Sequence, residues 1–131
     1  MNKRNKQKSG RYEFVNGFIF LGEKDSRQSK YLSIKNKTGV SPDETWNLDI
    51  SIAKFLVPRL KAFKNMTNGY PMNLSEEYGK NAFNEWIKIL DQMIYAFKLI
   101  ENDKMIYSED QNKKIEKGLD LFRKYFRDLW W

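Results

Sequence analysis

The stretch Ser41–Pro71 constrains the fold most, because it combines a helix start, a long apolar periodicity and a helix stop. Its first residue suits an N-cap, Pro42 suits the first helical position, and Glu44 stands at the third position of a capping box. From Trp46 onward, apolar residues recur three or four positions apart, the period of an amphipathic helix. The N-G-Y-P sequence at residues 68–71 then ends the helix, since proline cannot continue it. This stretch therefore predicts a helical domain.

Pro58 lies inside this helical pattern. Proline lacks an N–H and clashes with the carbonyl four residues earlier, so it should kink the helix or split it near residues 55–56. A second interpretation ends a short helical turn at Asn47 and starts a new helix with Asp49 as its N-cap.

Two further helices follow in the pattern. One should start after Ser75 and carry an apolar stripe to residue 100; the other should be capped by Ser108. Gly118 interrupts this last helix, which indicates close packing against a neighbour. The sequence thus predicts a mainly α fold, a small bundle of three helices, or of four if the first is split at Pro58.

The N-terminal third is harder to assign. Residues 1–10 should form a disordered basic tail, and residues 11–38 an arm. The β-prone runs Phe18–Leu21 and Tyr31–Ile34 predict a β-hairpin with a long loop, the alternative being an irregular arm whose aromatics pack on the helices. Residues 39–131 are then the helical domain of a single globular domain overall.

Positive charge is concentrated in this arm. Residues 1–40 hold ten Lys or Arg and three acidic residues, whereas residues 41–131 hold 14 of each sign. Cations interleaved with aromatics are typical of a nucleic-acid surface, although lysine-rich tails also serve solubility alone. The candidate nucleic-acid contacts are Lys3, Arg4, Lys6, Lys8, Arg11, Lys30, Lys35 and Lys37.

Catalytic chemistry has little support in the sequence. The chain has no cysteine and no histidine, which excludes thiol chemistry and the commonest general base and metal ligand. Five carboxylates could converge on Mg²⁺, but helix N-terminal charge explains most of them better; they are Asp43, Glu44, Asp49, Glu76 and Glu77. We predict no catalytic residue, no metal and no cofactor, with a metal-dependent hydrolase as the distant alternative.

Two groups of residues are candidates for binding. Trp46 and Asp49 should share an otherwise apolar helix face, so that Asp49 is either a cap or part of a ligand site, with Tyr70 in the following turn as a further candidate. Tyr125, Trp130 and Trp131 cannot all face the core of one helix. At least one of them should lie at the surface, where Trp, Tyr and Arg are typical of binding hot spots.

Three motifs, W46-N-L48-D49, G69-Y70-P71 and E85-W86-x-x-I89-L90, occur in that order. Their combination resembles a family of small, mostly helical bacteriophage proteins of unassigned function, over roughly residues 37–131. The resemblance implies a phage or prophage origin and a cytoplasmic role in an infected bacterium.

The leading hypothesis is a non-enzymatic phage accessory protein that binds a host or defence macromolecule and inhibits or redirects it. A nucleic-acid-binding protein and a minor virion component are the alternatives. The partner is a host or phage protein and not a membrane, because no apolar run reaches the ~18 residues of a span.

Overall fold

A computed structural model describes three short strands, at residues 6–9, 12–15 and 18–21, and residues 25–131. The mainly α fold predicted from the sequence is confirmed, and a small helical bundle fits it. The strands are β1 (Lys6–Ser9), β2 (Tyr12–Val15) and β3 (Phe18–Leu21). The α-helices in the described residues are α1 (Gln28–Thr38), α2 (Leu48–Met66), α3 (Met72–Tyr78), α4 (Ala82–Glu101) and α5 (Glu109–Tyr125).

The three strands form an antiparallel sheet in the order β1-β2-β3, with Gln7 opposite Phe14 and Phe14 opposite Ile19. The predicted hairpin is therefore wrong in its pairing, because β3 pairs with β2 and the run Tyr31–Ile34 is helical. β1 lies in the segment for which a disordered tail was predicted; the rest of that segment is outside the described residues.

Local signals at both ends explain why α1 is a helix. Before it, the Asp25 carboxylate accepts a hydrogen bond from the backbone N–H of Arg27 (2.9 Å), a turn that side-chain carboxylates favour. After it, Gly39 adopts φ 81° and donates its N–H to the carbonyl of Lys35 (2.7 Å). This left-handed glycine cap ends the helix and outweighs the β-propensity of the run inside it.

The chain divides into two compact units, Met1–Lys54 and Phe55–Trp131. The division falls inside α2, which continues through Pro58 without interruption.

The Ser41 motif starts a 3₁₀ turn, Pro42–Thr45, and not the long helix. Its capping interaction is as predicted, since Glu44 Oε2 accepts from the backbone N–H of Ser41 (2.5 Å). The interpretation in which a short turn ends at Asn47 and a new helix follows is therefore the better one, but Asp49 is not the N-cap of that helix. The carbonyl of Asn47 accepts the N–H of Ser51 (2.9 Å), and Asp49 lies in the first turn of α2.

In the second unit, α4 is the central helix. Its buried residues include Trp86, Leu90 and Met93, which are at most 1% exposed, and Leu74 of α3 is equally buried. The helix predicted to start after Ser75 begins earlier as α3. It is then interrupted at Gly79, whose φ of 54° is incompatible with a continuous helix.

α5 begins where the sequence predicts. Ser108 Oγ accepts from the N–H of Gln111 (3.1 Å), and the Gln111 side chain accepts from the N–H of Ser108 (3.0 Å). Gly118 packs closely on α4 as expected, since a Cβ there would lie 2.2 Å from the Cβ of Ala96 and 2.7 Å from the carbonyl oxygen of Gln92. No helix in the described part of the chain has the length and apolar content of a membrane span.

Candidate functional site

The most exposed aromatic side chains of the second unit lie in one short segment, Phe126–Trp131, which we call the aromatic segment. It follows α5 through a 3₁₀ turn at Phe126–Asp128 and is then held by the N–H of Trp130 donating to the carbonyl of Asp128 (2.9 Å). Phe126 is 60%, Trp130 76% and Trp131 67% exposed. Such exposure of large aromatic rings within six residues is typical of an interaction surface.

A chain of rings connects this segment to the core. Phe97 of α4 is buried and meets Phe122 edge to face, with ring centroids 5.1 Å apart. Phe122 in turn meets Phe126 at 5.4 Å and an interplanar angle of 74°. Phe126 is therefore positioned by the core while most of its ring stays accessible.

Tyr125 is a correction to the predicted binding group. It is only 3% exposed, its ring packs against Trp86 (centroids 5.4 Å apart), and its hydroxyl accepts from the amide of Asn73 (3.3 Å). It is therefore a core residue. Its spacing could have shown this, because Tyr125 lies two helical turns after the buried Gly118 and shares its face.

The surroundings of the aromatic segment are basic. Arg123, Lys124 and Arg127 are exposed, and Asp128 is the single acidic residue between Arg123 and Trp131. Lys124 places its amine 5.3 Å from the ring centroid of Tyr125. The segment therefore offers exposed tryptophans together with Arg127, a combination enriched where proteins bind one another.

Trp46 and Asp49, which the sequence predicts on one helix face, belong to different elements of the structure. Trp46 lies in the turn before α2 and is 37% exposed, and Asp49 is exposed in the first turn of α2. Because the carboxylate is in contact with solvent, it requires no buried partner. Tyr70 is 44% exposed in the loop between α2 and α3. Tyr70 belongs to the second compact unit, whereas Trp46 and Asp49 belong to the first.

Trp46 lies beside Arg27, a residue that is not among the candidates predicted from the sequence. Its guanidinium carbon lies 5.4 Å from the Trp46 ring centroid and 5.9 Å from that of Tyr31. The same guanidinium binds both oxygens of Asp25 at 3.0 Å, and that carboxylate is 2% exposed. The spacing D-x-R before a helix was the signal that could have indicated this pair.

The candidate basic residues are divided among several elements. Lys3, Arg4 and Arg11 lie outside the described residues, and Lys6 and Lys8 belong to β1. On α1, Lys30 and Lys37 are exposed and two turns apart, so they share one side of the helix. Lys35 is an ion-pair partner of Glu44 (2.8 Å).

The carboxylates considered for Mg²⁺ do not converge. Among the described residues, no group of three or more acidic side chains could hold a metal ion. Asp43 is buried (3% exposed) and accepts a hydrogen bond from the Ser41 hydroxyl. This structural role differs from the predicted one, in which the charge of Asp43 complements a helix N-terminus. Glu76 and Glu77 are exposed on α3.

Comparisons of the chain with models of protein families, with curated proteins and with solved structures found no match.

Proposed function

We propose that the chain is a non-enzymatic bacteriophage accessory protein that binds a host or defence macromolecule and inhibits or redirects it by steric occupation. Trp130 and Trp131 are the central contacts. The partner is a protein, met in the cytoplasm of the infected host. The phage setting is supported by the motif resemblance alone, whereas the binding role is supported by the aromatic segment.

One observation carries the binding role, the 76% and 67% exposure of two consecutive tryptophans. Leaving such rings in water is unfavourable, by roughly 25 cal/mol for each Å² of apolar area that a partner would cover. Phe126 and Arg127 lie in the same segment, so a pocket of the partner would contact both aromatic rings and an arginine.

Affinity capture from bacterial lysate, followed by binding measurements with the purified candidate partner, tests the proposal. Trp130→Ser combined with Trp131→Ser should weaken binding at least ~30-fold, the effect expected for removing hot-spot side chains of about 2 kcal/mol or more. The partner should also lose its own activity on binding the unaltered chain.

The matched control removes exposed apolar side chains elsewhere. Met105 and Ile106, in the connector between α4 and α5, are 101% and 85% exposed. Met105→Ser with Ile106→Ser should leave affinity within about twofold, well below the effect of the tryptophan changes. Equal losses from both double variants would show non-specific adhesion, and no loss from the tryptophan variant would contradict the proposal.

Nucleic-acid binding is the second candidate, and α1 is the observation that favours it. The helix carries Lys30, Lys35 and Lys37, contains no acidic residue, and has no buried residue. A basic helix of this kind can lie along a phosphate backbone. Lys30 and Lys37 are the contacts we propose, because they are exposed on one side.

Fluorescence anisotropy with labelled DNA and RNA, over a series of salt concentrations, tests this candidate. Lys30→Gln with Lys37→Gln should weaken binding and reduce the dependence of log K on log salt by up to about 2, one for each phosphate contact. Lys80→Gln with Lys98→Gln makes the same charge change elsewhere and should have a smaller effect. Equal effects of the two pairs, or no binding at low salt, would contradict it. Mass spectrometry of purified particles tests the virion alternative.

A further inference from the structure

A groove lies on the surface of α4 and α5, and its lining residues belong neither to the aromatic segment nor to the buried core. It has a volume of about 320 Å³ and is lined by Asp91, Gln92, Tyr95, Lys114 and Lys117. We call it the α4–α5 groove. Its volume is at the lower end of the roughly 300–1,000 Å³ that small-molecule sites occupy in proteins.

The groove lies beside the close approach of the two helices at Gly118. Because Gly118 has no side chain, α5 comes within contact of Ala96 and of the Gln92 carbonyl. Lys114 lies one turn before this glycine, and Tyr95 is next to Ala96, so both are held on rigid helices at the edge of the contact. A site on helices keeps its geometry better than one on loops.

Most of the charge around the groove is compensated. Asp91 forms an ion pair with Lys64 (2.7 Å), and Lys114 forms one with Asp110 (3.0 Å). The hydrogen bond and the charge of Asp110 raise the pKa of Lys114, so its amine stays protonated beside the Tyr95 ring, 5.5 Å from the centroid. Lys117 has no ion-pair partner within residues 25–131, although Asp120 lies three positions on. The groove therefore carries one uncompensated positive charge.

The apolar part of the lining is aromatic and aliphatic. Tyr95 is 43% exposed, and the lysine stems add methylene surface. Gln92 of the lining donates one side-chain N–H to the carbonyl of Lys88 (3.3 Å) and has a second N–H to donate.

We infer that the α4–α5 groove binds a small aromatic carboxylate. The ring of the ligand packs on Tyr95 and the stem of Lys114, and its carboxylate pairs with the ammonium of Lys117 and accepts from Gln92. A single negative charge matches the single uncompensated lysine, and the small volume favours one ring system over a longer chain. The inference is independent of the proposed protein partner, which uses another surface.

Titration followed by ¹H–¹⁵N NMR with three probes tests it. Indole-3-acetate carries ring and carboxylate, tryptamine the same ring with a positive charge, and acetate the carboxylate alone. Indole-3-acetate should shift the amides of Gln92, Tyr95, Lys117 and Gly118 in a saturable manner, and bind at least about threefold more tightly than either other probe.

Lys117→Gln should weaken indole-3-acetate binding by about threefold to tenfold. Lys98→Gln, at an exposed lysine of α4 outside the groove, is the matched control and should leave the affinity unchanged. Equal binding of tryptamine, equal effects of both variants, or shifts confined to Trp130 and Trp131 would each overturn the inference. The probe comparison requires no variant, so it holds even if a variant folds poorly.

Discussion

At Gly118 a single methyl group has no room. A Cβ would lie 2.2 Å from that of Ala96 and 2.7 Å from a backbone oxygen of Gln92, and the backbone oxygen cannot turn aside as a side chain could. Gly118→Ala should therefore destabilise the protein by about 1–3 kcal/mol, even though alanine is the better helix former by ~1 kcal/mol. Urea denaturation monitored by circular dichroism measures the difference.

Gly69→Ala is the control for this prediction. Gly69 lies in a loop, its Cβ position is open, and its φ is not left-handed, so alanine should be neutral or slightly stabilising, by less than about 1 kcal/mol. If the two variants had the same urea midpoint, α4 and α5 would have room for the added methyl group. The close contact of Gly118 with Ala96 and Gln92 would then not exist in solution. The sequence indicated this contact because glycine weakens a helix interior, a cost that close approach of a second helix offsets.

At the scale of elements, local signals gave α5 almost completely, because Ser108 and Gln111 satisfy each other's N–H groups within one turn. The same signal at Ser41 located a helix start but not its length, since the number of turns that follow depends on packing. The β-branched and aromatic residues of the run Tyr31–Ile34 favour a strand, whereas the flanking Asp25 turn and the Gly39 cap determine a helix.

The residues of the aromatic segment could be predicted as a group but not individually. Helical spacing shows that three large rings cannot all be buried, yet which one is buried depends on the rotation of α5 against α4. Gly118 packs closely on α4, and Tyr125, two turns later on the same face, is buried, whereas Phe126 is exposed. The contact of Arg27 with Trp46 could not be predicted, because these two residues meet only when α1 folds against the turn.

Pro58 is the position in α2 where helix chemistry and sequence conflict. The helix continues through it from Leu48 to Met66. Beside it, Arg59 donates to the Phe55 carbonyl one turn earlier (3.0 Å), and its guanidinium lies 3.8 Å from the Phe55 ring centroid. Pro58→Ala restores a backbone donor at an exposed site and should stabilise the protein by about 1–3 kcal/mol, measured as a higher urea midpoint.

Pro42→Ala is the matched control, because Pro42 begins a 3₁₀ turn where its fixed φ is favourable. It should be neutral or destabilising by up to about 1 kcal/mol. If Pro58→Ala instead lowered the urea midpoint, Pro58 would stabilise α2. The usual energetic cost of a proline inside a helix would then not apply at this position.

For the whole molecule, the absence of histidine and cysteine determines how stability responds to pH. No side chain has an ordinary pKa between about 5 and 8, so the free energy of unfolding should be nearly constant from about pH 6 to pH 9. The charge of Glu77 raises the pKa of Tyr78 above its ordinary value, and the hydrogen bond that Lys114 donates to Asp110 raises the pKa of Lys114 in the same way.

Both of these pKa values are higher in the folded state, so their stabilising effect is complete below the ordinary values and is lost as pH rises through the raised ones. Urea midpoints should therefore be level between about pH 6 and pH 9 and fall above about pH 10. Lys114→Met should make that alkaline fall shallower, because it removes one of the two groups, whereas Lys98→Met, at an exposed lysine of α4, should leave it unchanged. A change in midpoint between about pH 6 and pH 8 would show that a carboxylate or amine with a strongly shifted pKa controls stability instead.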